Sequence, residues 1–344
     1  MAALAAAEQG EVQLVPAPAF PEPVFEWAKV VPHFPPGLID EEGQLITGKV
    51  LTGSGGKRWE LIRCLRDCIH GQVVLAAGFT LSGIDRIYEE RHSVVKVLYR
   101  DRIENSAIGL LENPYDEIAA MQLIAARGGH PSILPITAAL RDENTIYLVL
   151  PFCNGGDLFD YVNEGGGLTE EQARPLFRQL ADGLAFLQRE DIAILHRDMS
   201  LENVLMHDGA ALLVMDFGMS IRLPRAEEPG VRALIPPQTR RGKRSYMSPE
   251  VFAEMPFDAK ADVWALGVMC YVMLLRRLPY SWPHGNDQYF QLIAQRHELA
   301  VRLQQWGFNV SAEAADLMQR CLMADAQQRP TAAELLQHPW ISGH

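Results

Sequence analysis

The chain turns from strand-like to helical in character at GGDL (Gly155–Leu158). From Trp59 onward, the runs WELIRCL, QVVLAAGF and SVVKVLY are short, rich in β-branched residues and separated by turn signals, the pattern of an antiparallel sheet. Pro114 opens PYDEIAAMQLIAA, a helix start with proline and acids in its first turn, and NTIYLVLPF adds another strand. Beyond GGDL the period becomes helical. TEEQ at Thr169–Gln172 reads as a capping box ahead of Leu176, Leu180, Leu184 and Leu187, which share one helix face. Pro175 predicts a weakened or bent first stretch of that helix, and TAAE at Thr331–Glu334 caps a last one. This order predicts an α+β fold: a small antiparallel sheet lobe with one helix, then a larger, mainly helical lobe, with a cleft between them.

Residues 1–56 are a different material. PAPAFPEP and VVPHFPPG are Pro-rich, TGSGGKR is a Gly/Ser hinge, and neither helical nor alternating periodicity is sustained, so a largely disordered leader is expected. No Lys or Arg precedes Lys29, which argues against a secretory signal or a transit peptide. The longest apolar run, Val263–Leu275, is too short to span a bilayer, so no membrane association is expected. A net charge of −12 disfavours a nucleic-acid surface but suits a basic peptide partner. Five cysteines without a CxxC predict free thiols in a reducing, cytoplasmic setting. The oligomeric state is not legible.

The chemistry lies in motifs set in order. His196, Arg197 and Asp198 form HRD, with Asn203 five residues after the aspartate; DFG follows at Asp216–Gly218 and SPE at Ser248–Glu250. Lys96 stands in an apolar strand, where a charge is costly without partners. Phosphoryl transfer needs an oriented acceptor hydroxyl and neutralised phosphate charge, and Asp198 suits the first task. Asn203 and Asp216 offer hard oxygens suited to Mg²⁺. Over residues 57–342 the set resembles the eukaryotic protein kinases, with an expected N-lobe at 57–152 and C-lobe at 153–342.

That resemblance implies ATP and Mg²⁺ as cofactors and a protein or peptide substrate. Lys96 is expected to hold the α- and β-phosphates and to pair with Glu117; Glu112 precedes Pro114 and so falls before the helix. The phosphate-covering loop reads LRDCIHGQV from Leu65 to Val73: Arg66 and Cys68 stand where two glycines are usual, only Gly71 remains, and looser nucleotide binding is expected. Val73, Val94 and Leu205 would flank adenine. Leu150 would be the gatekeeper, Pro151 would offer its carbonyl, Cys153 its N–H and carbonyl, and Asp157 would meet ribose or a basic substrate side chain. With Glu202, Asp157 favours arginine upstream of the acceptor, although Val272 replaces a third acid. The stretch 78–93 reads as a lengthened hairpin turn. Scaffold positions follow the same pattern: HPSIL at His130–Leu134, Asp262 holding the catalytic loop, Arg329 pairing with Glu250, and a column of Met121, Phe217 and His196.

Two departures fall at the centre. Ser200 occupies the place of the catalytic-loop lysine, and Lys243 that of the threonine after Gly242. The expectation is an exchange of roles, the ammonium arriving from the activation segment and the hydroxyl from the catalytic loop. Arg197 implies control by phosphorylation, and Thr239 is the only hydroxyl residue between Ile221 and Arg241. An active serine/threonine kinase is the leading reading. A pseudokinase scaffold, motivated by Arg66, Cys68 and Ser200, and a small-molecule kinase are the alternatives.

Overall fold

The computed structural model describes residues 12–32, 49–105, 112–227 and 231–343. The first finding corrects the expected leader. Val12–Leu14 form β1, Glu26–Trp27 β2, Lys29–Pro32 β3 and Lys49–Thr52 β4. These strands are two to four residues long, too short to register as an alternating pattern, and each gains its backbone partners from a neighbouring strand. Residues 1–11 and 33–48 of the expected leader lie outside the described residues.

The chain divides into two compact units. The sheet unit comprises Pro21–Ala126 and Leu134–Cys153, so it extends further toward the N-terminus than the expected lobe. Its strands continue as β5 (Arg58–Cys68), β6 (Gly71–Ser82), β7 (Asp85–Tyr99), β8 (Ala138–Arg141) and β9 (Thr145–Pro151). They form one sheet in the order β2-β8-β9-β7-β6-β5-β4-β3, antiparallel except for the β2–β8 pair. Alternate residues of β7, Val95 and Val97, pack with Trp59, Leu61, Val74, Tyr147 and Val149 in a buried layer. Ala28 and Leu51, from the stretch read as leader, belong to the same layer. The lengthening at 78–93 is in the strands and not in the turn: β6 and β7 pair out to Ser82 and Asp85, leaving only Gly83 and Ile84 between them. Gly83 has a φ of 66°, as tight hairpin turns require.

The helical unit comprises Arg127–Ile133, Asn154–His344 and the N-terminal stretch through Phe20. Its short strands are β10 (Ile194–Leu195) with β13 (Ile221–Arg222), β11 (Val204–His207) with β12 (Ala211–Val214), and β1 with β14 (Arg232–Leu234). The Lys260–Leu275 helix is buried on nearly every face, which explains its unbroken apolar sequence. The Glu170–Leu187 helix carries the expected capping box, formed by Thr169 and Gln172, and runs on through Pro175. The Ala332–Leu335 helix has its own box from Thr331 and Glu334.

Arg329 locks this unit. Its guanidinium is 1% exposed and holds both Glu250 carboxylate oxygens at 2.7 Å while stacking on Trp264. Burial raises the Glu250 pKa, but the Arg329 charge and hydrogen bonds outweigh it and hold the carboxyl below its usual range. A depressed carboxylate contributes its stability above the ordinary carboxylate range, and that contribution fades as pH falls through the folded value. Arg329→Met is expected to cost about 3–5 kcal/mol by leaving a buried charge unpaired, read as a lower urea midpoint at neutral pH. A loss under about 1 kcal/mol would contradict this ion pair's place in the fold.

Candidate active site

The expected site residues fall into two clusters, one in each unit. In the sheet unit, β7 sets Val94 opposite Leu150 on β9 and Lys96 opposite Val73 on β6. Val94 and Lys96 are two apart on one strand and so face the same side. The Lys96 ammonium lies 2.5 Å from the Glu117 carboxylate, both partly or largely buried. Pro114 starts the helix that presents this glutamate, and Asn113 accepts the Tyr115 N–H at its first turn. Glu112 lies before the helix, as its sequence position predicts.

The phosphate-covering loop differs from expectation in its reasons. Leu65 is skipped in the β5–β6 register, at an irregularity between Cys64 and Arg66. A Cβ on Gly71 would sit 1.8 Å from the Val97 carbonyl oxygen, so crowding by β7 alone requires glycine here. Burial pushes the Cys68 thiol up, against the pull of the nearby Lys96 charge, so a protonated thiol replaces the usual glycine. His70 at the hairpin tip is 3% exposed, a burial that nothing in the sequence pattern signals. Pro151 ends β9 opposite Ser93, with Cys153 two residues beyond.

In the helical unit, Asp198 is held from two sides. One carboxylate oxygen accepts the backbone N–H of Lys243 at 2.9 Å, and the other accepts the Asn203 amide at 2.7 Å. Asn203 also donates to the Asp198 carbonyl, which commits its nitrogen and leaves its oxygen as the acceptor offered to a cation. The Lys243 ammonium donates to Ser200 Oγ at 2.7 Å and lies 3.5 Å from that Asn203 oxygen. Met215 donates to the Asn203 carbonyl, tying DFG to the catalytic loop, and Asp216 adopts a left-handed φ of 67°. Leu205 pairs with Leu213 and bridges to Asp157, whose carboxylate caps the Leu158–Glu164 helix. These hard-oxygen groups fit a magnesium–nucleotide site.

Second contacts fix the loop. Asp262 accepts the backbone N–H groups of His196 and Arg197 at 2.7 and 3.0 Å. The His196 and Phe217 ring centroids lie 4.9 Å apart with the rings tilted by 54°, while Met121 is buried on the Pro114–Ala126 helix of the other unit. Arg197 lies over the Phe257 ring, and burial, with the Arg241 charge beside it, pushes its pKa down to about 10. Thr239 is exposed. The sequence reading missed Tyr246, whose buried hydroxyl is pushed up by burial and by Glu202.

The sequence pattern of the protein kinase domain matches residues 81–341. The chain belongs to the protein kinase family. This kinase domain is similar to a calcium/calmodulin-dependent protein kinase type 1 of Macrobrachium nipponense, 30% identical over 218 residues, 62% of this chain and 59% of that protein. The calcium/calmodulin-dependent protein kinase cmkB of Emericella nidulans is 34% identical over 230 residues, 66% of this chain and 54% of that one. The SNF1-related protein kinase catalytic subunit alpha KIN12 of Arabidopsis thaliana is 30% identical over 250 residues, 73% and 46% respectively. The chain spans about half the length of the curated relatives it matches.

Gly242 explains how Lys243 reaches this kinase's catalytic loop. Its φ is 91°, and a Cβ there would meet the Arg197 carbonyl oxygen at 2.5 Å. Gly242→Ala therefore adds left-handed strain of about 1–2 kcal/mol to a clash. Hydrogen exchange of the Lys243 amide is expected to quicken about tenfold or more, since each 1.4 kcal/mol is a factor of ten. Gly285→Ala, which meets nothing closer than 3.7 Å, serves as the control. An unchanged Lys243 rate in Gly242→Ala would contradict the assignment.

Proposed function

We propose that this chain is an ATP-dependent serine/threonine protein kinase that uses Mg²⁺ and acts in the cytoplasm. The observation that carries the reading is the Asp198 carboxylate, gripped by Asn203 and by the backbone of Lys243. Magnesium-ATP, when bound, supplies the transferable phosphoryl group and screens its oxygens. Asp198 would orient the acceptor hydroxyl and take its proton as that oxygen bonds to the γ-phosphorus and the bond from the γ-phosphorus to the bridging oxygen breaks, the electron pair leaving with ADP. Asn203 and Asp216 are the residues to hold the metal, and Lys96, oriented by Glu117, the α- and β-phosphates. Leu65, Gly71, Val73, Val94, Leu150, Pro151, Cys153 and Leu205 are proposed to line the adenine and phosphate positions. Cys64, Cys68, Cys270 and Cys321 are free thiols, which suits a reducing compartment.

Ser200 and Lys243 exchange roles in this reading. The Lys243 ammonium donates to the hydroxyl that stands where the usual lysine would, so the positive charge at the transferred phosphate is supplied from the activation segment. The substrate is a protein or peptide. Its basic preference is moderated, because Glu202 lies 3.9 Å from the Lys243 ammonium and Asp157 is engaged as a helix cap. Regulation is assigned to Thr239. Arg197 keeps Nε and Nη2 buried without a hydrogen-bond acceptor among the described residues, and a phosphate would relieve its repulsion with Arg241.

Radiolabelled ATP and Mg²⁺ with a generic protein substrate test the activity: wild type is expected to transfer phosphate and Asp198→Asn to lose it. Equal transfer by both, or by neither, would refute the assignment. Lys243→Ala is expected to slow transfer about 10²-fold, the scale of removing one electrostatic contact to the developing charge. The exposed-lysine control Lys49→Ala should change little; equal effects of the two would refute the exchange.

A further inference from the structure

The N-terminal segment touches both elements that shape a kinase site. β1 pairs in parallel with β14, which lies inside the activation segment between DFG and SPE, in the register Val12↔Arg232 to Leu14↔Leu234. The Val15 N–H donates to the Leu234 carbonyl at 2.9 Å, and Gln13 Oε1 accepts the Glu227 N–H at 3.0 Å. Val12 is 5% exposed, so the strand is anchored by packing as well as by its ladder. β14 runs directly into Ile235, which exchanges two backbone hydrogen bonds with Phe257 and is fully buried. The activation segment is thus held on one side by the body of the helical unit and on the other by the chain's own N-terminus.

Ten residues further along, the same segment grips the Glu117 helix. The Gln122 carboxamide brackets Val24, accepting its N–H at 2.9 Å and donating to its carbonyl at 2.6 Å. The Phe25 ring meets Tyr115 edge-on, and β2 then adds to β8. Between the two anchors lie Pro16, Pro18, Pro21 and Pro23. Prolines hold the chain extended and reduce the states lost on ordering, so they make a stiff tether and not a slack linker.

We infer that residues 12–27 are a built-in strap that couples the order of the activation segment to the position of the Glu117 helix. The strap acts by occupancy: bound, it adds a strand to the segment that carries Thr239 and Lys243, and fixes the helix that orients Lys96. Its kinetic consequence rests on the phosphotransfer reading above; its coupling does not.

Hydrogen exchange on the full chain tests it, with kinetics beside. Val15→Pro removes the N–H that reaches Leu234, and Gln122→Ala removes the bracket on Val24. Val15→Pro is expected to quicken exchange at 232–235 and also at 114–126, and Gln122→Ala to quicken both in return, because coupling is reciprocal; changes of about 5- to 150-fold are typical. The exposed control Glu22→Ala should leave both segments at wild-type rates. Each strap variant is expected to lower kcat/KM about tenfold with its melting transition retained, whereas Asp198→Asn abolishes transfer with wild-type exchange. If each variant frees only the segment it touches, the strap does not couple them and the inference fails. A wild type that transfers no phosphate would sink the kinase reading, and the exchange result would still decide on the strap.

Discussion

The Asp262 carboxylate, 2% exposed on the core helix, is the point from which the catalytic loop is hung. It takes the consecutive N–H groups of His196 and Arg197, which forces Arg197 into a left-handed φ of 69°. Such a backbone costs about 1–2 kcal/mol for a residue with a Cβ, and the two charge-assisted bonds offset it. Burial pushes the Asp262 carboxyl up, while His196 and Arg197 work to keep it ionised. Everything downstream inherits this geometry: Asp198 is next in the chain, and Asn203 turns back onto it through the Leu201–Asn203 turn.

In the proposed exchange, the positive charge of the loop changes its source and not its sum. Ser200 is fully buried and contributes no charge, yet an ammonium stands 2.7 Å from its hydroxyl. Gly242 makes this approach possible by bringing the backbone against the Arg197 carbonyl, where no side chain fits. The arrangement makes the cation conditional. A lysine on the catalytic loop is present whenever that loop is folded, whereas Lys243 arrives only with an ordered activation segment.

How much was legible in the sequence depended on the length of the signal. Pro114 and the acids after it marked a helix, and so singled out Glu117 over Glu112 as the partner of Lys96. The S/T-x-x-E/Q boxes at Thr169 and Thr331 formed as read, because a cap is a local interaction. The Ser200–Lys243 contact was legible because two anomalies cancel only if they meet. The leader was misread for the opposite reason: β1 and β2 hold two or three residues each, and their hydrogen bonds come from segments more than a hundred residues away. The hairpin at 78–93 was misread because a polar, exposed ladder lacks alternation that could set it apart from a loop. Gly71 carries a second constraint that its local sequence did not reveal, since the Val97 carbonyl that crowds it comes from another strand.

The transposed cation is the most exposed claim of this account, and a charge swap tests it directly. Ser200→Lys and Lys243→Thr are made singly and together in the full chain, and phosphoryl transfer to a protein substrate is measured for all three. The account predicts that the double variant regains activity to within about tenfold of wild type, as groups acting as one unit are non-additive. A double variant no better than the product of the two single losses would contradict it.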